Sequence, residues 1–313
     1  MTLDSDEKGE GTDGAAVTRA GFVALLGAPN VGKSTLLNQL VGTKVSIVSP
    51  KVQTTRRRII GISIHDATQI MFIDTPGVFS PKKRLDRAMV DAAWGGAADA
   101  DLVCMLVDAK RGLRQEEGMI FERLADSRKQ RLLVINKTDL VRPPVLLPLV
   151  KELNERLDFD ETFMVSAMNG DGCGDLAERI AQRMPQGPWL FPEDQLSDLS
   201  SRAMAAEITR EQLYLQLHQE LPYATTVETE AWAESDDGSQ IRIDQTIYVE
   251  RATQKGIILG KGGRQIKAIG EAARKELEPI LGARVHLFLF VKVRENWADD
   301  RERYREMGLD FPR

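Results

Sequence analysis

The sequence predicts an α/β domain with a mainly parallel, doubly wound sheet, followed by a smaller α+β domain. Three observations support this. Short apolar runs alternate with amphipathic segments up to Met184, a phosphate-binding motif follows the first run, and a Pro-rich segment then precedes a different order of helices and strands. The length of 313 residues also agrees with two domains, since one domain usually takes about 100–200 residues.

The first domain, residues 20–184, is predicted to contain six strands. Several are nearly all apolar, which is typical of a parallel sheet with helices on both faces. The predicted strands are Gly21–Leu26, Ile59–Ile64, Gln69–Ile73, Leu102–Asp108, Leu132–Asn136 and Thr162–Val165. Their alternation with helical segments indicates a doubly wound domain.

The first strand leads into a GxxxxGK[ST] motif, in the strand–loop–helix setting that this motif requires. Backbone N–H groups and the helix N-terminus can surround phosphate oxygens, while Lys33 reaches the β- and γ-phosphates and Ser34 binds Mg²⁺. A glycine-rich turn without a ligand is the alternative. The predicted phosphate-binding residues are Gly27, Ala28, Pro29, Asn30, Val31, Gly32, Lys33, Ser34 and Thr35. A nucleoside triphosphate is the expected ligand.

A motif after the fifth strand predicts the base. Asn136-Lys137-Thr138-Asp139 resembles the NKxD motif of GTPases, in which the Asp carboxylate accepts from guanine N1–H and from its exocyclic amine. Adenine lacks this donor pair, although Asp139 could instead cap the next helix. The loop after the sixth strand looks like the one that supports guanine, with the Ala167 N–H meeting O6. The predicted base-binding residues are Asn136, Lys137, Asp139, Ser166, Ala167 and Met168. GTP and GDP are therefore the expected ligands.

A third motif, after the third strand, predicts the magnesium site. Asp74-Thr75-Pro76-Gly77 looks like the DxxG of switch II, in which the Asp holds Mg²⁺ through water and the Gly N–H senses the γ-phosphate. Switch I must lie between Ser34 and Asp74, where Thr54 and Thr55 both offer a hydroxyl to Mg²⁺. We favour Thr55, and a solvent-exposed polar loop is the alternative. The predicted metal ligands are Ser34, Thr55 and Asp74, and the predicted catalytic residues are Asn30, Lys33, Ser34, Thr55, Asp74 and Gly77.

The residue after Gly77 bears on the rate of hydrolysis. Ras-like GTPases keep a glutamine there that orients the attacking water, whereas this chain has Val78. A valine cannot orient water, so slow intrinsic hydrolysis is expected. Asn30 matches the asparagine that accompanies K⁺-stimulated hydrolysis in related GTPases, which makes K⁺ a candidate for the missing positive charge.

The second half begins with a segment rich in proline and turn formers, residues 185–200, which is predicted to be a linker. Its Trp189, Leu190 and Phe191 are expected to pack against one domain. The elements predicted after it are a helix over Ser201–Leu221, strands over Ala224–Ala233 and Gln240–Glu250, two further helices, and a strand over Arg284–Val293. This α-β-β-α-α-β order fits a type II KH domain over residues 201–295. Residues 296–313 are left as a C-terminal tail; the charged segment Glu295–Arg313 is expected to be helical, and no contact is assigned to it.

The sequence between the last two helices, IILGKGGRQIKAIG, resembles the KH signature with its GXXG loop at Gly260–Gly263. Backbone free of side chains lets a single-stranded nucleic acid lie against such a loop. Residues 255–275 carry six Lys and Arg against one Glu, although a helix-entry turn is the alternative reading of GXXG. The predicted RNA-binding residues are Ile257, Ile258, Gly260, Lys261, Gly262, Gly263, Arg264, Ile266 and Lys267.

Composition narrows the class of protein. The chain has 42 Lys and Arg against 47 Asp and Glu, a net charge of −5, so its basic segment is a local feature. Cys104 and Cys173 are too few for a disulfide framework or a Cys-based zinc site and are expected to be reduced thiols. Residues 1–19 are acidic and Gly-rich and are predicted to be a disordered tail. They are unlike a signal peptide, and no stretch approaches the roughly 20 apolar residues of a membrane span, so a cytoplasmic protein is expected.

The motifs GAPNVGKS, QTTR, DTPG and NKTD, followed by FPEDQLSD, GKGGRQIKAIG and VKVRENWADD, closely resemble the Era family of bacterial GTPases from Gly21 to Gly308. The fold class that follows is an α/β P-loop GTPase domain and then an α+β type II KH domain. The resemblance implies GTP-regulated binding of the KH domain to the 3′ end of 16S rRNA during assembly of the 30S subunit. It also implies peripheral association with the cytoplasmic face of the membrane. A monomer is expected.

Two other functions stay open at this point. One is a membrane-associated or cell-cycle signalling GTPase in which the KH-like domain is a protein adaptor. The other is a metabolic GTP-dependent enzyme, which is disfavoured because the second half shows no clustered catalytic acid, base or nucleophile.

Overall fold

The structure is a computed structural model that describes residues 17–218, 221–295, 297 and 300–312. The disorder predicted for residues 1–19 falls outside this range as far as residue 16. For residues 17–19 the prediction of a disordered tail is wrong. Thr18 Oγ1 donates a 2.9 Å hydrogen bond to Gly187 O, and the first strand begins at Arg19.

The first domain is a six-stranded sheet flanked by helices. Its elements are β1 (Arg19–Gly27), α1 (Lys33–Val41), β2 (Ile59–His65), β3 (Thr68–Asp74), α2 (Arg84–Asp99), β4 (Leu102–Asp108), α3 (Gln115–Ala125), β5 (Gln130–Asn136), α4 (Pro143–Arg156), β6 (Glu161–Met164) and α5 (Cys173–Arg183). The strand order is β2-β3-β1-β4-β5-β6. Strand β2 is antiparallel to β3 and the other neighbouring pairs are parallel, so the predicted mainly parallel, doubly wound sheet is confirmed.

Apolar side chains fill both faces of this sheet. Because side chains alternate along a strand, Val23 and Leu25 of β1 lie in one core cluster, whereas Ala24 and Leu26 lie in the other. All residues of β3 and β4 are buried. The carboxyl ends of parallel strands meet at the same edge of a sheet, so the loops after β1, β3 and β5 come together there.

The segment after α5 is bound to the edge of the first domain rather than free. Leu196 O accepts a 2.9 Å hydrogen bond from Ile62 N in β2, and Trp189 Nε1 donates to Ala67 O at 3.1 Å. Phe191 packs in a small cluster with β2 and β3. The expected packing against one domain is therefore present, although the side chain of Leu190 is exposed.

The second domain contains a three-stranded sheet. Its elements are α6 (Ser201–Gln216), β7 (Thr225–Glu234), β8 (Gln240–Val249), α7 (Ala252–Leu259), α8 (Arg264–Leu281) and β9 (Arg284–Val293). The strand order is β7-β8-β9, with β8 antiparallel to β7 and parallel to β9. The predicted α-β-β-α-α-β order is confirmed. Helix α6 ends five residues before its predicted end at Leu221, because the backbone is already extended at Leu217, with φ of −100° and ψ of 158°.

The described part of the C-terminal segment, residues 296–313, is packed rather than free. A helix was expected within this tail, and helix α9 (Arg301–Glu306) forms there, but no contact had been assigned to it. Tyr304 and Leu309 are buried against Ala88 and Met89 of α2. The segment is rich in charge, yet Tyr304, Met307, Leu309 and Phe311 pack against the first domain, and Trp297 Nε1 donates to Ala224 O of the second.

Candidate functional site

The phosphate-binding loop lies between β1 and α1. Gly32 has a φ of 98°, and a Cβ there would lie 2.3 Å from Asn136 Nδ2, so the loop requires glycine at this position. Lys33 is buried, and its Nζ donates to Gly27 O at 3.2 Å and to Ala28 O at 3.1 Å. Burial lowers the pKa of Lys33 to about 8, against the opposing attraction of Asp74. A phosphate anion beside this ammonium would compensate its buried charge.

The two hydroxyls of the predicted magnesium site meet at its carboxylate. Asp74 Oδ2 accepts hydrogen bonds from Ser34 Oγ at 2.7 Å and Thr55 Oγ1 at 3.3 Å, and the two hydroxyl oxygens are 2.9 Å apart. Ser46, which the sequence did not single out, also donates to Asp74 Oδ2 at 2.8 Å. This cluster joins the phosphate-binding loop, switch I and switch II.

The same cluster fits a hard divalent cation. Among the described residues, the buried Asp74 Oδ1 has no hydrogen-bond partner. Burial raises the pKa of Asp74, although Lys33 and the three hydroxyls oppose this. A cation coordinated by oxygens, directly or through water, would stabilise the ionised carboxylate and use the free oxygen. The donor set is therefore one that Mg²⁺ prefers.

The two candidate threonines of switch I have different surroundings. Thr54 Oγ1 lies 2.6 Å from Ser49 Oγ and donates to Lys51 O at 2.8 Å, both within switch I. The Thr55 hydroxyl instead faces Ser34 and Asp74. This geometry supports the choice of Thr55.

The switch II loop lies against the phosphate-binding loop. A Cβ on Gly77 would lie 2.8 Å from Pro29 Cα, so only glycine allows this approach. Thr75 and Pro76 are buried, and Thr75 Oγ1 donates to Leu25 O at 2.8 Å, which gives Thr75 a role in holding the loop. The side chain of Val78 is buried in the core, where it cannot contact an attacking water.

The predicted base-binding residues lie together at the ends of β5 and β6. Ser166 Oγ donates to Asp139 Oδ1 at 2.6 Å, and Asn136 Nδ2 donates to Val31 O at 2.9 Å. The N-cap of α4 is Arg142, so Asp139 does not have the capping role considered from sequence. The Ala167 N–H donates to Asn136 Oδ1 at 3.0 Å, and contact with guanine O6 would have to share or replace this hydrogen bond.

One residue beside the base site, Asp108, was not among the residues predicted from sequence. Asp108, at the end of β4, forms an ion pair with Lys137 Nζ at 2.8 Å, and Lys137 Nζ also donates to Asn30 O at 2.5 Å. The signal available was a carboxylate at the end of an apolar strand. These contacts join the base-binding motif to the phosphate-binding loop.

The two ends of the site border one cavity of about 450 Å³, which suits a small polar ligand. It is lined by the phosphate-binding loop, Gly77, Lys137, Met168 and switch I residues. The switch I residues at its wall are Ile47, Val48, Ser49, Pro50, Gln53, Thr54 and Thr55. Most of this wall was not predicted from sequence.

The GXXG loop joins α7 to α8. Gly260, Gly262 and Gly263 all have positive φ, of 68°, 62° and 77°, and a Cβ on Gly260 would lie 2.7 Å from Gln265 Cβ. The exposed residues around the loop include Ile257 and the cations Lys261, Arg264 and Lys267. The prediction for Ile258 is wrong, because this side chain is fully buried in the core of the second domain.

A groove of about 460 Å³ continues from this loop between α8 and β9. Ile266, Lys267, Gly270, Glu271 and Arg274 line it on the helix side, and residues 285–289 line it on the strand side. A Cβ on Gly270 would lie 3.3 Å from Leu289 Cδ1, so glycine keeps helix and strand close. Strand β9 is the edge of its sheet and presents unpaired backbone groups to the groove. From sequence, two helices and a strand were expected to form the groove, but no residue of the strand was among the predicted RNA-binding residues.

Within the described ranges, no helix has the length and apolar character needed to cross a membrane. Both cysteines are buried and free. Burial raises the pKa of Cys104 to about 12, and burial together with Asp171 raises that of Cys173 to about 11. These thiols are therefore protonated and unreactive near neutral pH.

Comparison with known families matches both halves of the chain. Residues 22–137 match the family described as 50S ribosome-binding GTPase, and residues 220–298 match the KH domain family. The GTPase Era of Brucella suis biovar 1 is 62% identical over 298 residues, which cover 95% of this chain and 96% of the relative. The GTPase Era of Sinorhizobium medicae is 60% identical over 314 residues and 100% of both chains.

Two solved structures share the fold. One is a variant of Aquifex aeolicus Era bound to GDP and AlF4⁻. The other is Era in complex with MgGDPNP and nucleotides 1506–1542 of 16S ribosomal RNA. Each has a TM-score of 0.88 and 40% identity to this chain, and the alignment covers 93% of this chain and 99% of the other.

Proposed function

The chain belongs to the Era family of GTPases, and on that premise we propose that it is a GTP-hydrolysing switch that binds the 3′ end of 16S rRNA during assembly of the 30S ribosomal subunit. One observation carries the proposal. One chain contains both a site suited to phosphate, magnesium and guanine and a groove beside the GXXG loop. The similar Era structure holds MgGDPNP together with nucleotides 1506–1542 of 16S rRNA.

We assign a role to each residue of the nucleotide site. Ser34 and Thr55 would hold Mg²⁺ directly and Asp74 would hold it through water, and the cation would offset charge on the phosphates. Lys33 and the backbone around Gly77 bind the γ-phosphate. Asp139, fixed by Ser166, accepts the two guanine donors. These roles rest on the geometry of the cluster and on the order of the motifs.

Hydrolysis in this site is intrinsically slow and is assisted by K⁺. Val78 is buried and cannot position water, so another group must offset the charge that develops. Asn30 Nδ2 donates to Pro50 O at 2.9 Å. The Asn30 side chain, whose Oδ1 can ligate K⁺, therefore lies between the phosphate-binding loop and switch I. The test compares GTP hydrolysis in K⁺ and Na⁺ buffers of equal ionic strength, and equal rates would exclude the K⁺ role.

RNA binds along the groove between α8 and β9. The exposed Lys261, Arg264 and Lys267 bind the phosphate backbone, and the edge of β9 meets bases of a single strand. The first experiment measures affinity for an oligonucleotide matching the 3′ end of 16S rRNA, with GDP and with a non-hydrolysable GTP analogue, at fixed salt. Tighter binding with the analogue is expected. Absence of binding in both states would refute the RNA role and leave the GTPase activity standing.

A matched variant separates RNA binding from an adaptor role for the second domain. Replacing Gly262 and Gly263 with Asp puts two negative charges on the loop. If the groove binds RNA, affinity for the oligonucleotide is lost while basal GTP hydrolysis continues at the unaltered rate. Retained RNA binding would contradict the assignment of this loop.

We place this activity in the cytoplasm, where ribosomal subunits assemble, and propose that the protein acts as a monomer. The 30S subunit is the expected assembly partner because it contains 16S rRNA. Peripheral contact with the membrane and a role as signalling adaptor find no comparable support in the site. Sedimentation of the purified protein, alone and with 30S subunits, tests the monomer and the partner together.

A further inference from the structure

Two neighbouring residues of switch I point in opposite directions. The hydroxyl of Thr55 faces Ser34 and Asp74 in the nucleotide site. The side chain of Arg56 enters the second domain, where it is 3% exposed. Successive Cα atoms are about 3.8 Å apart, so the position of one side chain strongly constrains that of the other.

The guanidinium of Arg56 is held entirely by the second domain. Its NH1 donates to Thr225 O at 2.7 Å, and its NH2 donates to Tyr214 Oη at 2.9 Å and to the carbonyls of Pro222 and Tyr223 at 3.2 and 3.0 Å. It also lies over the rings of Tyr214 and Trp297, at 5.7 and 5.8 Å from their centroids. We call this arrangement the arginine cup.

The residues before Arg56 are bound to helix α6, which also carries Tyr214. Tyr214 Oη donates to Gln53 O at 3.2 Å, Arg210 NH2 donates to Thr54 O at 2.6 Å, and Lys51 Nζ donates to the carbonyls of Tyr214 and Leu217. Switch I therefore lies between the nucleotide site and α6. Directional hydrogen bonds to α6 fix the position of switch I.

We propose that Arg56 is the positioning residue through which the KH domain holds Thr55 at the magnesium end of the nucleotide site. This role rests on the proposed GTP switch and extends it with a specific mechanical link. Bound γ-phosphate and Mg²⁺ would hold Thr55 in this position and so favour the engaged cup. Without them only the hydroxyl of Ser34 and the carboxylate of Asp74 hold the Thr55 hydroxyl, and the engaged cup is less strongly favoured. Linkage is reciprocal. If a ligand of the second domain changes the affinity for the triphosphate through the cup, the triphosphate changes the affinity for that ligand by the same factor.

The cup needs arginine specifically. Four oxygens of the second domain surround the guanidinium, and its planar fork can reach them together, whereas a lysine ammonium has three donors at one point. A hydrogen bond from a charged group such as this one is worth roughly tenfold or more in an equilibrium constant. Arg56→Met removes all four and keeps an unbranched apolar side chain in place of the arginine's aliphatic stem.

The experiment measures affinity of the full chain for GDP and for a fluorescent, non-hydrolysable GTP analogue with Mg²⁺ and without RNA. Arg56→Met is expected to weaken the analogue about tenfold and GDP less than about twofold, because only the triphosphate state holds Thr55 in place. Arg56→Lys is expected to restore only part of the loss. Arg202→Met is the matched control, since its guanidinium also binds two carbonyls, of Thr229 and Glu230, but inside one domain.

Two results overturn the proposal. One is unchanged affinity for the analogue in Arg56→Met, and the other is an equal loss for both nucleotides, which a merely structural role would give. If Arg56→Met does not fold, Tyr214→Phe tests the cup from the other domain by removing one acceptor and the bond to Gln53. It is expected to weaken the analogue about threefold. Since no RNA is present, failure of the RNA proposal does not affect this result.

Discussion

The nucleotide site and the nucleic-acid groove achieve binding in opposite ways. In the first, Thr55 and Asp74 are buried and hydrogen-bonded to each other, and the buried Lys33 donates to the carbonyls of Gly27 and Ala28. In the second, Lys261, Arg264 and Lys267 are exposed. They lie at the GXXG loop and on α8, and the edge strand β9 forms the other side of the groove. The difference teaches that the first site selects by fixed polar geometry, so a single change has a large effect. The groove binds by many weak contacts, so single changes have small effects.

The largest expected effect is on base selection. Asp139→Asn replaces an acceptor of two guanine donors with an amide, and we expect affinity for GTP to fall by roughly 100-fold or more, because a site that hydrogen-bonds a ligand strongly rejects a mismatch. Affinity for xanthine nucleotides should rise. Competition binding measures both. Asp158→Asn, an exposed Asp of the same domain, is the control, and unchanged GTP selectivity in Asp139→Asn would refute the assignment of the base.

Removal of Mg²⁺ should have the next largest effect. Chelation leaves the phosphate charge uncompensated, so GTP hydrolysis is expected to fall by about 100-fold or more. Phosphate release with excess chelator, and again after Mg²⁺ is restored, measures this. RNA affinity in the GDP state should change little. A hydrolysis rate that does not depend on Mg²⁺ would contradict the role given to the oxygen cluster around Asp74.

A smaller effect is expected at the GXXG loop. Gly260→Ala places a methyl 2.7 Å from Gln265 Cβ at a φ of 68°, so the loop must shift, and RNA affinity should fall about tenfold through lost backbone contacts. Gly256→Ala in α7 is the matched control, because its added methyl has no neighbour within 4 Å. Oligonucleotide binding measures both variants. A loss at Gly256 as large as that at Gly260 would argue against a specific role for the loop.

The smallest effect should be that of a single cation. Lys267→Ala is expected to weaken RNA binding about threefold and to lower the slope of log affinity against log salt by about 0.7, the value for one phosphate contact on a single strand. Binding at four salt concentrations measures the slope. Lys151→Ala, on the exposed side of α4, should change neither. A tenfold loss without a change in slope would mean that Lys267 reads a base.

Sequence reasoning worked best for features that are local in the chain. The motifs at Lys33, Asp74 and Asp139 each follow a strand directly, so recognising the strand also located the motif in the fold. The role of Arg56, the residue after Thr55, could not be found in this way. The partners of Arg56 lie 158 to 169 positions further along, and no short pattern specifies a contact of that separation.

Two further errors have the same physical origin. Ile258 and Ile257 are both apolar residues of α7, but packing buries the first and exposes the second, and the short helix gives no periodicity that separates them. The charged segment after Trp297 was read as a tail because its composition is that of solvated chain. Its burial against α2 depends on a surface that forms more than 200 positions earlier, as Tyr304 and Met89 differ by 304 − 89 = 215.

The contact between α9 and α2 has a consequence for biosynthesis. A chain emerges from the ribosome N-terminus first, and its domains fold as they emerge. Helix α2 is therefore translated early, yet Tyr304 and Leu309 can cover Ala88 and Met89 only after more than 200 further residues have been translated. Until then every nascent chain carries an uncovered apolar surface on α2, and chains that terminate before Tyr304 keep it. Such products should be bound by chaperones or degraded, which limits the pool of GTPase to chains that include Tyr304 and Leu309.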